Sequence, residues 1–394
     1  MEGDFIKIRE SLLPLSWLYG CGVRLRNFCF DVGLLKSHSF HVPVIAVGNI
    51  TVGGTGKTPH VEFLARQLKD LFRVAVLSRG YKRKTKGFLL ADESTTANDI
   101  GDEPFQMKKK FPDISVAVDK KRVHGIEQLI HDDPELDVIL LDDAFQHRYV
   151  KPGINILLVD YHRLIIYDKL LPAGRLREPL NGKSRADIVI VTKCPKEMKP
   201  MEFRVLTKAM NLFPYQHLYF TTLEYDHPFA MFNDHQRLTL TDVCTSNNIL
   251  LLTGIALPRQ MQEDLQAMNR EATHSHTISS LTFSDHHHFS QKDIGRINRT
   301  FAAMAAPKII LTTEKDAARL AGIEGLSEEV RQHIFILPIR ISFIQKDQEE
   351  MFTQSIIGYV RKNSRNSILA TGKEEVKNKE DIHPATKTRT ISFK

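Results

Sequence analysis

The sequence predicts an α/β protein: a P-loop NTPase-type, mostly parallel sheet with helices on both faces, joined to a second, smaller α/β lobe and preceded by an amphipathic helix. Three observations lead there. Short, β-branched apolar runs alternate with helical stretches along most of the chain, the pattern of strands buried on both faces. A glycine-dense loop ending in Gly56-Lys57-Thr58 separates one such run from a helical pattern. And 394 residues are too many for one ordinary domain, which asks for two lobes.

Residues 1–40 open with Leu12-Leu-Pro-Leu-Ser-Trp-Leu-Tyr19, apolar on nearly all sides and holding the single tryptophan. Leu18, Cys21, Leu25, Phe28, Val32 and Leu35 then follow helical spacing, with Arg24, Asn27 and Asp31 off the stripe. Such a helix suits an in-plane membrane contact or docking on the protein's own core. The run Val42–Val47 reads as the first strand and residues 57–71 as a helix after the loop. Buried strands follow at 73–78, 114–118, 137–143, 154–159 and 187–191, with helices from Gly101 and from about 119 to 130. The second half adds strands at 249–252, 278–283 and 309–313 and a helix at 258–268. The expected division is an N-terminal helix (1–40), a nucleotide lobe (41–160), a second lobe (161–340), a C-terminal helix (341–363) and a disordered basic tail (364–394).

Composition is that of a globular protein, 42% hydrophobic and 26% charged. The net charge of +7 raises the question of nucleic acid. From Arg361 onward, however, nine Lys/Arg stand against four Asp/Glu, so +5 of the surplus sits in the tail and nucleic acid is not expected as a partner. The four cysteines lack metal-ligand spacing and read as thiols of a reducing compartment. No secretory signal and no bilayer-spanning apolar run is present in the sequence, so a cytoplasmic or membrane-apposed protein is expected.

The loop Thr51-Val52-Gly53-Gly54-Thr55-Gly56-Lys57-Thr58 carries phosphate-binding chemistry. Glycines let backbone N–H groups turn toward a phosphate chain, and the following helix N-terminus adds partial positive charge. Lys57 is expected on the β- and γ-phosphates, and Thr58 on Mg2+. The strict pattern places glycine where Thr51 stands, so Gly53 and Gly54 are expected to supply the backbone freedom. Val138-Ile-Leu-Leu-Asp142 ends an apolar strand in a carboxylate, the second Mg2+ ligand; Asp143 doubles the negative charge there. Arg79, Lys82 and Arg83 form a cationic run suited to a phosphate or to solvent, and Arg177 fits the same role. Gln146 and His147 follow the carboxylate strand on the nucleotide side. Three adjacent histidines, His286–His288, do not readily converge on one zinc ion. Thr313-Glu-Lys-Asp316 faintly echoes the base-reading motif of GTPases and equally reads as a helix cap.

Taken in order, Val47–Pro59, Ser78-Arg-Gly-Tyr81, Gly101-Asp-Glu-Pro104, Leu141–His147, Leu171–Pro179, Arg185-Ala-Asp187, Val191-Thr-Lys193, Phe283–His287 and Thr313–Asp316 closely resemble the tetraacyldisaccharide 4′-kinase family, over about residues 12–340. Ala144 stands where that family commonly has glycine. The resemblance implies transfer of the γ-phosphate of ATP, with Mg2+, to the 4′-hydroxyl of an acylated glucosamine disaccharide 1-phosphate. It also implies an N-terminal membrane anchor at the cytoplasmic face of the inner membrane. It nominates Asp102 as general base with His286 as its partner, the dyad assembling when the lobes close. Asp143 stays open as an alternative base, and Glu178 matches a family position near the cleft. A P-loop GTPase or ATPase acting as a regulatory or metal-delivery switch is the competing expectation.

Overall fold

The computed structural model describes residues 8–233, 237–254, 258–270, 276–284 and 287–364. In chain order its helices are α1 (Leu13–Asp31), α2 (Lys57–Leu68), α3 (Ala97–Ile100), α4 (Asp102–Lys110), α5 (Arg122–Asp132), α6 (Pro200–Met210), α7 (Leu240–Ser246), α8 (Pro258–Arg270), α9 (Gln291–Ala302), α10 (Glu314–Leu320), α11 (Glu328–His333) and α12 (Lys346–Asn363). The strands are β1 (Val44–Gly48), β2 (Val74–Ser78), β3 (Leu89–Leu90), β4 (Ser115–Val118), β5 (Val138–Asp142), β6 (Ile154–Asp160) and β7 (Ile188–Thr192). They continue as β8 (His217–Tyr225), β9 (Phe229–Ala230), β10 (Asn248–Thr253), β11 (Ile278–Thr282), β12 (Lys308–Thr313), β13 (Ile334–Leu337) and β14 (Ile339–Phe343).

Among the described residues these strands form two sheets, one of nine strands in the order β14-β8-β7-β6-β1-β5-β2-β4-β3 and one of five in the order β11-β10-β12-β13-β9. Strands β4, β2, β5, β1, β6, β7 and β8 run parallel, each bonded to the next. Their continuous apolar runs are what burial on both faces demands. One face packs α2 and α12, where Phe63, Tyr219, Phe343 and Phe352 meet at 5.3–6.1 Å between ring centres. The other face packs α5 beneath Leu77, Ile139 and Leu141.

The sheets do not divide where the sequence suggested. Strands β7 and β8 extend the nucleotide sheet well past residue 160, and β14 and α12 return to it from the far end of the chain. A short apolar run advertises a strand but not the sheet it joins. The second sheet takes β9 to β13.

The helix α1 buries Ser16, Gly20 and Phe30 rather than its apolar stripe. Ser16 Oγ accepts from Ala173 N at 2.9 Å, and a Cβ on Gly20 would lie 2.8 Å from the Leu170 side chain. Leu18 (64%), Leu25 (65%) and Phe28 (57%) face outward, with Trp17 at 68%. No helix among the described residues is long and apolar enough to cross a membrane. The expected tail lies almost wholly outside the described residues.

Candidate active site

The phosphate-binding loop leaves β1 at the carboxyl edge of the parallel sheet, where ligands of such sheets bind. Gly53 (φ 123°) and Gly56 (φ 81°) adopt the left-handed backbone that a side chain resists. Gly54 has no positive φ, so of the two glycines expected to replace a glycine at position 51 only Gly53 contributes this way. Thr51 pairs in antiparallel fashion with Leu176, and Val52 N donates to Arg175 O at 2.8 Å. Position 51 therefore needs an extended residue, which explains the threonine.

Lys57 begins α2, with Thr58 buried beside it. Strand β5 lies next to β1 with Asp142 opposite Val47, so the strand-end carboxylate sits flush with the loop. Asp142 Oδ2 accepts from Ser78 Oγ at 3.2 Å, whereas Oδ1 is buried without a hydrogen-bond partner. Burial, then the nearby Glu103 and Asp143 charges, push the Asp142 carboxyl up to about 6. An orphaned buried carboxylate oxygen at the end of the strand next to β1 fits a divalent cation such as Mg2+.

Asp143, left-handed at φ 50°, points between Lys57 Nζ (3.5 Å) and Arg177 Nη1 (3.7 Å). Burial would raise its carboxyl, but Lys57 and Arg177 outweigh that and hold it below the ordinary carboxylate range.

Several cations converge on this edge. His147 is pushed down to about 4 by burial and then by Arg122, Arg79 and Arg26. Gln146 Nε2 donates to Asn49 O, while its own carbonyl accepts from Arg26 at 3.3 Å. Arg26 and Tyr19, whose hydroxyl donates to Arg177 O at 2.8 Å, tie α1 directly to the site. Arg83 does not join the cluster: its guanidinium donates to Val118 O (3.2 Å) and Gly87 O and holds its own loop. Glu178, 2% exposed, is paired with Arg185 at 2.7 Å. Asn49, Ser78, Arg26 and Arg122 escaped the sequence reading. Asn49 and Ser78 stand inside quoted motifs, whereas Arg26 and Arg122 carried no signal.

Asp102 opens α4, directly across from the second lobe. Arg319 donates to Asp102 Oδ2 through Nε (2.9 Å) and Nη2 (2.7 Å), and through Nη1 to Gly254 O (3.1 Å) and Asp316 Oδ1 (3.0 Å). The neighbouring seam pairs Glu103 with Lys315, and Lys110 with both Glu62 and Glu314. Thr313–Asp316 thus lies on the second sheet, where Thr313 caps α10 and Glu314 and Lys315 join the lobes. Its helix-cap reading holds, and its base-reading echo does not place it on the nucleotide sheet. His286 lies outside the described residues. His287 is bonded to Asp293 at 3.0 Å and stacked on Phe283 at 4.8 Å, and no group of three metal-ligating side chains occurs among the described residues.

A P-loop, a strand-end carboxylate beside it, a cationic edge and a carboxylate on α4 held by an arginine from the second lobe define a P-loop phosphotransferase. The model of the tetraacyldisaccharide-1-P 4′-kinase family matches residues 8–357. The chain is 57% identical to the tetraacyldisaccharide 4′-kinase of Phocaeicola vulgatus, over 93% of this chain and 99% of that one. It is 41% identical to that of Porphyromonas gingivalis, over 91% and 99%. A crystal structure of Aquifex aeolicus LpxK in complex with ATP superposes with a TM-score of 0.67 at 30% identity, covering 89% of this chain and 99% of that one. The chain belongs to the tetraacyldisaccharide-1-P 4′-kinase family.

Proposed function

We propose that this protein, an ATP-dependent lipid kinase, acts on tetraacyldisaccharide 1-phosphate in lipid A biosynthesis, with Asp102 as its general base and Mg2+ as its metal. The oxygen of the sugar's 4′-hydroxyl attacks the γ-phosphorus, the bond to the β–γ bridging oxygen breaks, and ADP leaves. The hydroxyl proton passes to Asp102. The observation that carries this reading is the meeting of Lys57, Asp142 and Asp143 at one edge of the nucleotide sheet, with Asp102, held by Arg319, adjoining the Glu103 whose charge reaches Asp142.

Phosphoryl transfer asks mainly for positioning and for neutralising charge on the transferred group. Lys57 supplies a cation to the β- and γ-phosphates. Thr58 and Asp142 would hold Mg2+, which neutralises the phosphate oxygens when bound. Arg319 fixes the Asp102 carboxylate at the seam by two N–H donors on Oδ2, which supports Asp102 as the positioned base. His286 is the nominated partner of that base. Arg79, Arg26 and Arg177 form the cationic wall suited to the substrate's 1-phosphate, while Arg122, 2% exposed and donating to the Asp119 and Asp142 carbonyls, adds its charge from beneath.

The outward apolar face of α1 supports docking on the cytoplasmic face of the inner membrane, because Tyr19 and Arg26 of the same helix reach the site. A regulatory switch has no need of that connection. The test is label transfer from γ-labelled ATP in mixed micelles containing the acylated disaccharide 1-phosphate. Labelled lipid carrying a new 4′-phosphate supports the kinase; nucleotide hydrolysis with unlabelled lipid would favour the switch.

A further inference from the structure

In a trans peptide the carbonyl of one residue and the N–H of the next lie in one plane and point to opposite sides. Fixing a carbonyl therefore aims the following N–H. Four successive carbonyls of the phosphate-binding loop each meet a side-chain donor from outside the loop. Gly53 O accepts from Asn49 Nδ2, long at 3.5 Å; Gly54 O from Lys193 Nζ; Thr55 O from Thr192 Oγ1 at 3.0 Å; and Gly56 O lies 2.7 Å from His60 Nδ1.

The donors are themselves fixed. Thr192 is fully buried at the end of β7, and Lys193 Nζ is also paired with Asp160 at 2.6 Å. His60, in the first turn of α2, is 3% exposed. A carbonyl can only accept, so Nδ1 carries the proton, and Nε2 accepts from Thr221 Oγ1 at 3.0 Å. Thr221 lies on β8, so this chain of bonds anchors the loop to the sheet beyond β7. Among the described residues no protein group accepts from the N–H of Gly54, Thr55 or Gly56.

We infer that Thr192, Lys193 and His60 are positioning residues of the nucleotide site: they hold the carbonyls of residues 54–56 outward, so that the N–H groups of Thr55, Gly56 and Lys57 face the β-phosphate as a preset anion nest. The inference rests on the nucleotide reading above and gives Val191-Thr-Lys193, a motif without a role in the chemistry, its function. Order in the nest comes from the protein's own bonds, so phosphate binding does not have to impose it.

The readout is how affinity depends on phosphate number. Binding of AMP, ADP and ATP to the full chain is measured by competition, for Thr192→Val, Lys193→Met and His60→Val and for the conservative Thr192→Ser and His60→Asn. Losing one carbonyl bond should weaken ADP and ATP about fivefold, in keeping with the modest net worth of a hydrogen bond. AMP, which does not reach the nest, should stay within about twofold of wild type. Thr192→Ser and His60→Asn, which keep a donor on the same carbonyl, should restore ADP affinity. Equal loss for all three nucleotides, or no loss for any, overturns the inference even if a variant also melts earlier. A wild-type protein that binds no nucleotide would instead overturn the reading on which it rests.

Discussion

Replacing Arg319 tests how the two lobes are joined at Asp102. Its side chain is 5% exposed, that of Asp102 20%, and that of Asp316 0%. Arg319→Met strips the cation from both carboxylates and leaves Asp316, fully buried, with only Thr313 Oγ1 and Gly254 N as hydrogen-bond donors among its remaining described partners. Removing one member of a buried pair costs about 3–5 kcal/mol, so the arginine variant should lose that much. Asp102→Asn leaves the Arg319–Asp316 pair intact and should cost less, about 1–2 kcal/mol. Two N–H donors on one partly shielded carboxylate oxygen give an expected coupling energy of about 2 kcal/mol between positions 102 and 319. The assay is a double-mutant cycle by urea denaturation, with hydrogen exchange at α10 amides reporting on the seam. A coupling below about 0.5 kcal/mol, or equal losses for the two single variants, would refute the clamp on Asp102.

Two further predictions concern other parts of the molecule. Burial, only partly offset by its bond to Gly56 O, pushes His60 down to about 4. The unfolded chain then binds a proton that the folded chain refuses as pH falls from about 6.5 to about 4, costing about 3 kcal/mol by the lower limit. Nothing is lost from this source above pH 6.5. His60→Asn should flatten the acid limb of the stability curve by that amount, and an unchanged pH slope would contradict the burial. On α1, a triple Leu18→Ser, Leu25→Ser, Phe28→Ser variant should bind anionic-lipid vesicles at least about tenfold more weakly. Its melting temperature should hold, because those side chains face outward; unchanged vesicle binding would exclude this face as the anchor.

The sequence made the nucleotide half of the site legible because its chemistry is local. Gly56-Lys57-Thr58 follows a strand, and Asp142 ends one, so each could be read within a dozen residues. Parallel register then brings them together. The other half is made by tertiary contact. Arg319 lies 217 positions from the Asp102 it binds, and Arg26 and Arg122 reach the edge from separate helices. No spacing rule encodes such meetings. Periodicity showed that α1 has an apolar stripe but not which way it faces; Ser16 and Gly20, the residues that decide it, carry no apolar signal. Arg83 misled for the opposite reason: a charge run looks like a ligand site, while its guanidinium is occupied by two backbone carbonyls. The division at residue 160 missed that β7, β8 and β14 join the nucleotide sheet, since strand runs look alike whichever sheet they enter.

The most direct test of the account is single-turnover phosphate transfer to the acylated disaccharide 1-phosphate by wild type, Asp102→Asn and Asp143→Asn, with ATP affinity measured on the same preparations. Asp102→Asn should lose at least about 100-fold in the transfer step with ATP affinity kept. Asp143→Asn, which leaves Lys57 and Arg177 without their carboxylate, should disturb nucleotide affinity as well as turnover. Near-normal transfer by Asp102→Asn at saturating substrate would contradict the assignment of the base and, with it, the role given to the contact between the lobes.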